Sequence, residues 1–137
     1  MTWEELNKVR DLTKNLRDAE RSLELIRLSI SAAKVPVRDG MPKATSTDSR
    51  IEIATIRIID FSAKIESLKA ELIDAVKILE EQITNAVSNK TARKIFILHY
   101  VDCMYFRDIA IALGYSEAHI YYLHRITLEN LIKDNSS

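Results

Sequence analysis

Glycine, proline and cysteine are nearly missing from this chain, which holds two, two and one of them in 137 residues. With so few helix breakers beside abundant Leu, Ile, Ala, Glu and Lys, the sequence predicts an almost entirely α-helical protein. A single cysteine, Cys103, excludes an intramolecular disulfide. Its neighbourhood YVDCMYF has no adjacent base to lower its pKa, so it reads as a buried structural thiol. No apolar run approaches the roughly 20 residues of a membrane span. The start MTWEELNKVRDL also lacks the charged beginning and apolar centre of a signal peptide, and a cytoplasmic location is expected. Twenty basic residues balance twenty acidic ones. No global field therefore draws the protein to nucleic acid, and DNA binding would have to rest on local charge.

Signatures of chemistry are lacking as well. The sequence has no glycine-rich phosphate loop, no nucleophile elbow and no isolated carboxylate pair, so neither an enzyme nor a cofactor is expected. His119 and His124 are five residues apart, which puts them on different helix faces, and no cysteine pair accompanies them. A metal site is not expected. His124 is expected to pack or hydrogen-bond at the rear of its helix, and His99 to be a partly buried polar residue.

Present instead are two long amphipathic stretches. In residues 1–33, apolar positions recur at Val9, Leu12, Leu16, Ala19, Leu23, Ile26, Ile30 and Ala33 in steps of three and four, a coiled-coil-like seam. Thr2 and Glu5 form a capping box, so this helix should begin almost at the first residue. Residues 34–49, KVPVRDGMPKATSTDS, hold both prolines and read as a flexible linker closed by Asp48 or Ser49 as a cap. From 50 to 87 the seam returns at Ile51, Ala54, Ile58, Phe61, Ile65, Leu68, Leu72, Ala75 and Leu79. Such a helix would be about 55 Å long, too long for a compact globule and suited to an antiparallel hairpin with the first. A second apolar set, including Ile73, Val76, Ile83 and Val87, widens the face. It calls for another partner, either the C-terminal helices or a second copy of the chain.

Residues 88–137 carry the most informative pattern. After Ser88 and Asn89, turn and cap residues, Lys90 to Val101 reads as a short helix. Phe106 to Leu123, FRDIAIALGYSEAHIYYL, then reads as a helix-turn-helix around Gly114, which takes the left-handed conformation without steric cost. Ala110 permits close approach of the helices, and Ile109, Leu113, Tyr115, Ile120 and Leu123 supply apolar contacts. Ser116 caps the second helix. That helix carries Glu117, Ala118, His119, Tyr121, Tyr122 and Arg125 outward, toward what is usually a DNA major groove. The fold class is thus all-α: a long helical hairpin followed by a three-helix, helix-turn-helix unit.

The stretch LHYVDCMYFRDIAIALGYSEAHIYYLHRITLENL resembles the C-terminal region 4 of bacterial sigma-70 factors. More narrowly, YSxxxIYxLHxxxLxxL from Tyr115 to Leu131 resembles small proteins of phages and prophages of Gram-positive bacteria, the DUF1492 family, whose members also have a long helical N-terminal part. The resemblance implies a phage-type transcriptional regulator that binds promoter or operator DNA or touches RNA polymerase. It assigns DNA-facing positions to Ser116, Glu117, Ala118, Tyr121, Tyr122 and Arg125, to which Arg107 and His119 are added as neighbouring candidates. It also implies that the chain, without a polymerase-binding region 2, does not direct initiation alone.

Lys90 to Ser137 holds six Lys or Arg against five Asp or Glu, a thin electrostatic footprint for a DNA-binding unit. Two functions follow. One is a sequence-specific DNA-binding regulator acting as a homodimer through its long helices, with Ile73, Val76, Ile83 and Val87 as oligomerisation residues. The other is an interaction module for RNA polymerase or another host protein, with little DNA affinity of its own.

Overall fold

A computed structural model describes residues 1–33 and 45–135, and all of its regular structure is helical. The elements are α1 (Trp3–Ala33), α2 (Thr45–Ala86), α3 (Lys90–Phe96), a π turn (Ile97–Val101), α4 (Phe106–Leu113) and α5 (Glu117–Asn135). Among the described residues no helix is long and apolar enough to cross a membrane.

The helix ends follow from local chemistry. At the start of α1 the capping box is formed: Glu5 N–H donates to Thr2 Oγ1 at 3.2 Å, and Thr2 N–H donates to Glu5 Oε2 at 3.1 Å. Asn89 caps α3 by accepting from Ala92 N–H at 3.0 Å. The start of α2 differs from expectation, since the helix begins at Thr45 and Asp48 and Ser49 lie inside it. Five consecutive residues in TSTDS are able to begin a helix, so composition alone does not select the first turn. The remainder of the expected linker, 34–44, lies outside the described residues.

The chain divides into two compact units, one formed by Met1–Thr13 with Glu71–Ser137 and the other by Lys14–Ala70. In the second unit, Ala19, Leu23 and Ile65 are the buried centre, flanked by half-buried Leu16, Ile58, Phe61 and Leu68. These are seam positions read from the three-and-four spacing. Late α1 residues Ser29 and Ile30 share a groove with early α2 residues Arg50, Ile51 and Ala54.

In the first unit, Ile95, Ile109, Ala110 and Ile120 form a core against which Leu98, Met104, Phe106, Leu113 and Leu123 pack. The expected helix from Lys90 to Val101 widens after Phe96. Asp102 N–H donates to the Ile97 carbonyl, five residues back, at 3.1 Å, a π turn that shifts the side-chain register by one position. Tyr100 and Val101 are buried there, while His99 is half-buried. Cys103 follows with φ +57° and is half-buried rather than buried, so the structural-thiol expectation holds only in part.

Candidate nucleic-acid interface

α4 and α5 meet at Gly114, which closes α4 with φ +75° and ψ 29°. Gly114 N–H and Tyr115 N–H both donate to the Ala110 carbonyl, at 2.9 and 3.0 Å, so one carbonyl receives the two bonds that end the helix. Ser116 then caps α5, its Oγ accepting from His119 N–H at 3.2 Å. One turn of chain thus ends one helix and starts the next. Tyr115 is a correction to the apolar set: it is 44% exposed and rests against the His119 ring at 5.1 Å, outside the core. The core there is made by Ile95, Ile109, Ala110 and Ile120 with Leu113 and Leu123 against it, and Tyr115 is not part of it.

With Ile120 buried at 0% exposure, the opposite side of α5 is fixed outward. Ala118, Tyr122, Arg125 and Glu129 follow one another in steps of four, three and four along that side, with Tyr121 beside them, and all are exposed. Glu117 and His119 flank the stripe, and Arg107 is exposed on α4. Ala118, Tyr121, Tyr122, His124 and Arg125 line a shallow, open depression of about 400 Å³. Small Ala118 leaves its floor low, and the two tyrosines, each about half exposed, form its walls.

An aromatic layer lies behind this stripe. Tyr121 packs on Phe106 at 4.7 Å, Phe106 stacks on His99 at 4.1 Å, and His124 stacks on both Phe96 and Tyr100 at 5.1 and 5.6 Å. His99 Nδ1–H donates to the Met104 carbonyl at 2.8 Å, because a carbonyl can only accept. Its Nε2 is therefore the lone-pair side and accepts from Arg10 Nη2 at 3.0 Å, while the same guanidinium nitrogen donates to the His99 carbonyl at 3.2 Å. The Tyr100 hydroxyl and His124 Nε2 share a hydrogen bond of 2.6 Å.

Burial disfavours the charged form of both rings. Burial, followed by the charges of His99 and Arg10, lowers the His124 pKa to about 4. Burial also lowers that of His99, opposed by its bond to Met104 and aided by Arg10. Burial pushes the Tyr100 hydroxyl up to about 12, against the pull of Arg10. His124 was expected to pack or hydrogen-bond at the rear of its helix; it does both, half-buried, although its edge also lines the depression of the stripe. Arg10, Phe96, Tyr100 and Phe106 were not singled out from the sequence. Arg10 gives no local sign, because its partner is 89 residues away.

Two of the expected oligomerisation residues are not available to a second copy. Ile83 and Val87 are 0% and 3% exposed and belong to the interior of this chain's first unit. Val87 borders a groove with Ala92, Leu123, Ile126 and Leu131, so the C-terminal helices supply the cover that the wide apolar face required. Val76 is half-buried, and Ile73 stays 58% exposed.

The DUF1492 family, described as a protein of unknown function, matches residues 37–132, well over half of the chain. The chain belongs to that family. Comparison with curated proteins and with solved structures finds no match. In this DUF1492 protein the match takes in all of α3, α4 and the exposed stripe of α5, together with α2, and it leaves out α1.

Charge is unevenly divided between the units of this DUF1492 chain. The first unit, which holds the α5 stripe, has nine Lys or Arg against twelve Asp or Glu, whereas the second has eleven against eight. Local charge around α5 is correspondingly sparse: only Arg107 and Arg125 are permanently positive from Phe106 to Leu131, facing Asp108, Glu117 and Glu129.

Proposed function

We propose that this protein is a sequence-specific DNA-binding transcriptional regulator of the phage and prophage type. In this reading α4, the Gly114 turn and α5 act as a helix-turn-helix similar to sigma-70 region 4, and α1 with α2 forms a helical hairpin arm. The observation that carries the reading is the fixed outward stripe Ala118, Tyr121, Tyr122 and Arg125 on a helix anchored through Ile120. A helix so presented fits the major groove, where Arg125 would address guanine O6 and N7 and low-profile Ala118 would admit a thymine methyl. Tyr121, braced by Phe106, and Tyr122 would reach phosphate oxygens through their hydroxyls. Acting as a homodimer, the protein would use exposed Ile73 with Val76 on α2 and read half-sites about 34 Å apart.

A second reading is favoured by the acidic balance of the first unit. It makes the protein an interaction module whose tyrosine-rich stripe docks on RNA polymerase or another host protein. Selection of bound duplexes from a random pool at low salt separates the two. The DNA reading expects an enriched sequence whose preference at one guanine is relaxed by Arg125→Ala, at a cost of about 1 to 3 kcal/mol. A pool from which nothing is retained would reject it.

A further inference from the structure

The DNA reading leaves a physical gap, since the unit that carries the reading helix is net acidic while duplex affinity rests largely on neutralised phosphates. The second unit has the missing charge, and its placement is specific. Arg50, Arg57 and Lys64 recur every seventh residue of α2, so they share one flank, spaced at about 10 Å. Arg50 and Arg57 line a groove of about 460 Å³ with Ser22, Ser29, Leu25, Ile26, Ile53 and Ala54, and no carboxylate lines it. Lys64 borders the adjoining depression, which also contains Asp18. On α1, Lys14 and Arg21 are likewise seven apart, and Arg21 precedes the groove residue Leu25 by four, which puts them on the groove side.

All five cations are exposed, and none is neutralised. Among the described residues the one ion pair is Lys69 with Glu66 at 3.7 Å; Asp11, Asp18, Glu24 and Asp60 lie three or four residues from these cations, and none is within ion-pair distance of them. Cations held without an ion-pair partner, two of them beside serine hydroxyls in a groove that no carboxylate lines, have the chemistry that tracks a phosphate backbone. Exposed Leu25 and Ile53 in the floor suit the apolar edge of a deoxyribose.

From this placement we infer that the groove face of the second unit, built on Arg50, Arg57 and Lys64 with Lys14 and Arg21, is a docking surface for the phosphate backbone of duplex DNA. It supplies affinity without sequence preference, while the α5 stripe supplies preference with little affinity. The inference rests on the DNA reading above, and its test separates the two.

The duplex selected by the wild-type protein is titrated at several salt concentrations with wild type, Arg125→Ala, the triple variant Arg50→Gln/Arg57→Gln/Lys64→Gln and the rescue variant Arg50→Lys/Arg57→Lys. The triple variant should lower the slope of log affinity against log salt by about 2 to 3, near 0.9 for each lost phosphate contact. It should keep the sequence preference, and the lysine variant should keep most of the slope. Arg125→Ala should do the reverse, relaxing preference and changing the slope by about 1 or less. A triple variant with unchanged helicity and an unchanged slope overturns this inference alone. Absence of any duplex binding by wild type overturns the DNA reading and this inference with it. Loss of binding to an acidic peptide alone, with the DNA slope intact, assigns the groove to a protein partner and also overturns it.

Discussion

In the first unit nine large side chains are less than 2% exposed, among them Leu6, Leu79, Phe96, Tyr100, Ile109 and Ile120. In the second, the least exposed described side chains are Ala19 at 4% and Ile65 at 6%. The difference follows from the number of neighbours. Segments of α1 and α2 join α3, the π turn, α4 and α5 in the first unit, so an apolar side chain can be enclosed on every side. Two helices alone share only one face, and the rest of each surface stays wet, as exposed Leu25, Leu28, Ile53, Ile56 and Ile59 show. Polar chemistry divides in the same way. The first unit holds His99, His124 and Arg10 half-buried in a hydrogen-bonded aromatic layer, whereas the second leaves its cations to solvent. The better-enclosed first unit is therefore expected to resist local opening more than the second.

The sharpest way to break this contrast is a pair of cavity substitutions. Ile120→Ala should cost about 3 to 5 kcal/mol, while Leu23→Ala, in a core that can collapse toward solvent, should lie near the lower bound of about 2 kcal/mol. Denaturant unfolding measures both, and equal costs would remove the distinction between the units. Hydrogen exchange sharpens it further: amides of α1 from Lys14 to Ile30 should exchange faster than those from Leu6 to Leu12, though both lie on one helix.

Gly114→Ala should have a smaller effect. An added Cβ meets nothing within 4 Å, so the cost is that of holding a non-glycine residue at φ +75°, about 1 to 2 kcal/mol. A loss well above that in a melting experiment would mean that the turn stores more than backbone strain.

The smallest effect is that of pH, because His99 and His124 both keep some access to solvent. The folded-state pKa of His124 is about 4 against 6.5 in the unfolded chain. Its contribution is therefore complete above pH 6.5 and is lost progressively as pH falls toward 4, and His99 acts in the same direction. Trp3, the single tryptophan, lies 6.4 Å from the Tyr100 ring and reports on this unit. Its fluorescence melting midpoint should fall across that window, and His124→Gln should flatten the dependence. An unchanged midpoint would reject the neutral-ring description.

Much of the local structure was legible from residue types alone. The seam of α1, the capping box at Thr2 and Glu5, the caps at Asn89 and Ser116 and the left-handed Gly114 are all set by chemistry within a few residues. So was the outward side of α5, since Ile120 and Leu123 mark the side that faces in. Legibility failed where several residues were equally able, as in TSTDS at the start of α2. It also failed where a helix widened, because a π turn leaves no signature in the spacing of ILHYV. The candidate site was read as a row of side chains, and the layer that braces it went unread: Tyr121 on Phe106, Phe106 on His99, His99 on Arg10.

What the sequence determined by itself, then, is the helical class, the seam spacing, the turn at Gly114 and the direction in which Tyr121, Tyr122 and Arg125 face. Each depends on interactions within one or two turns of chain, which residue order specifies directly. Only the tertiary structure decided that Ile83 and Val87 are covered by their own chain and that Arg10 closes on His99. It also decided that a neutral chain divides into one unit with a small acidic excess and one with a small basic excess. Those outcomes depend on which distant segments meet, and 89 residues of separation leave no trace in local pattern.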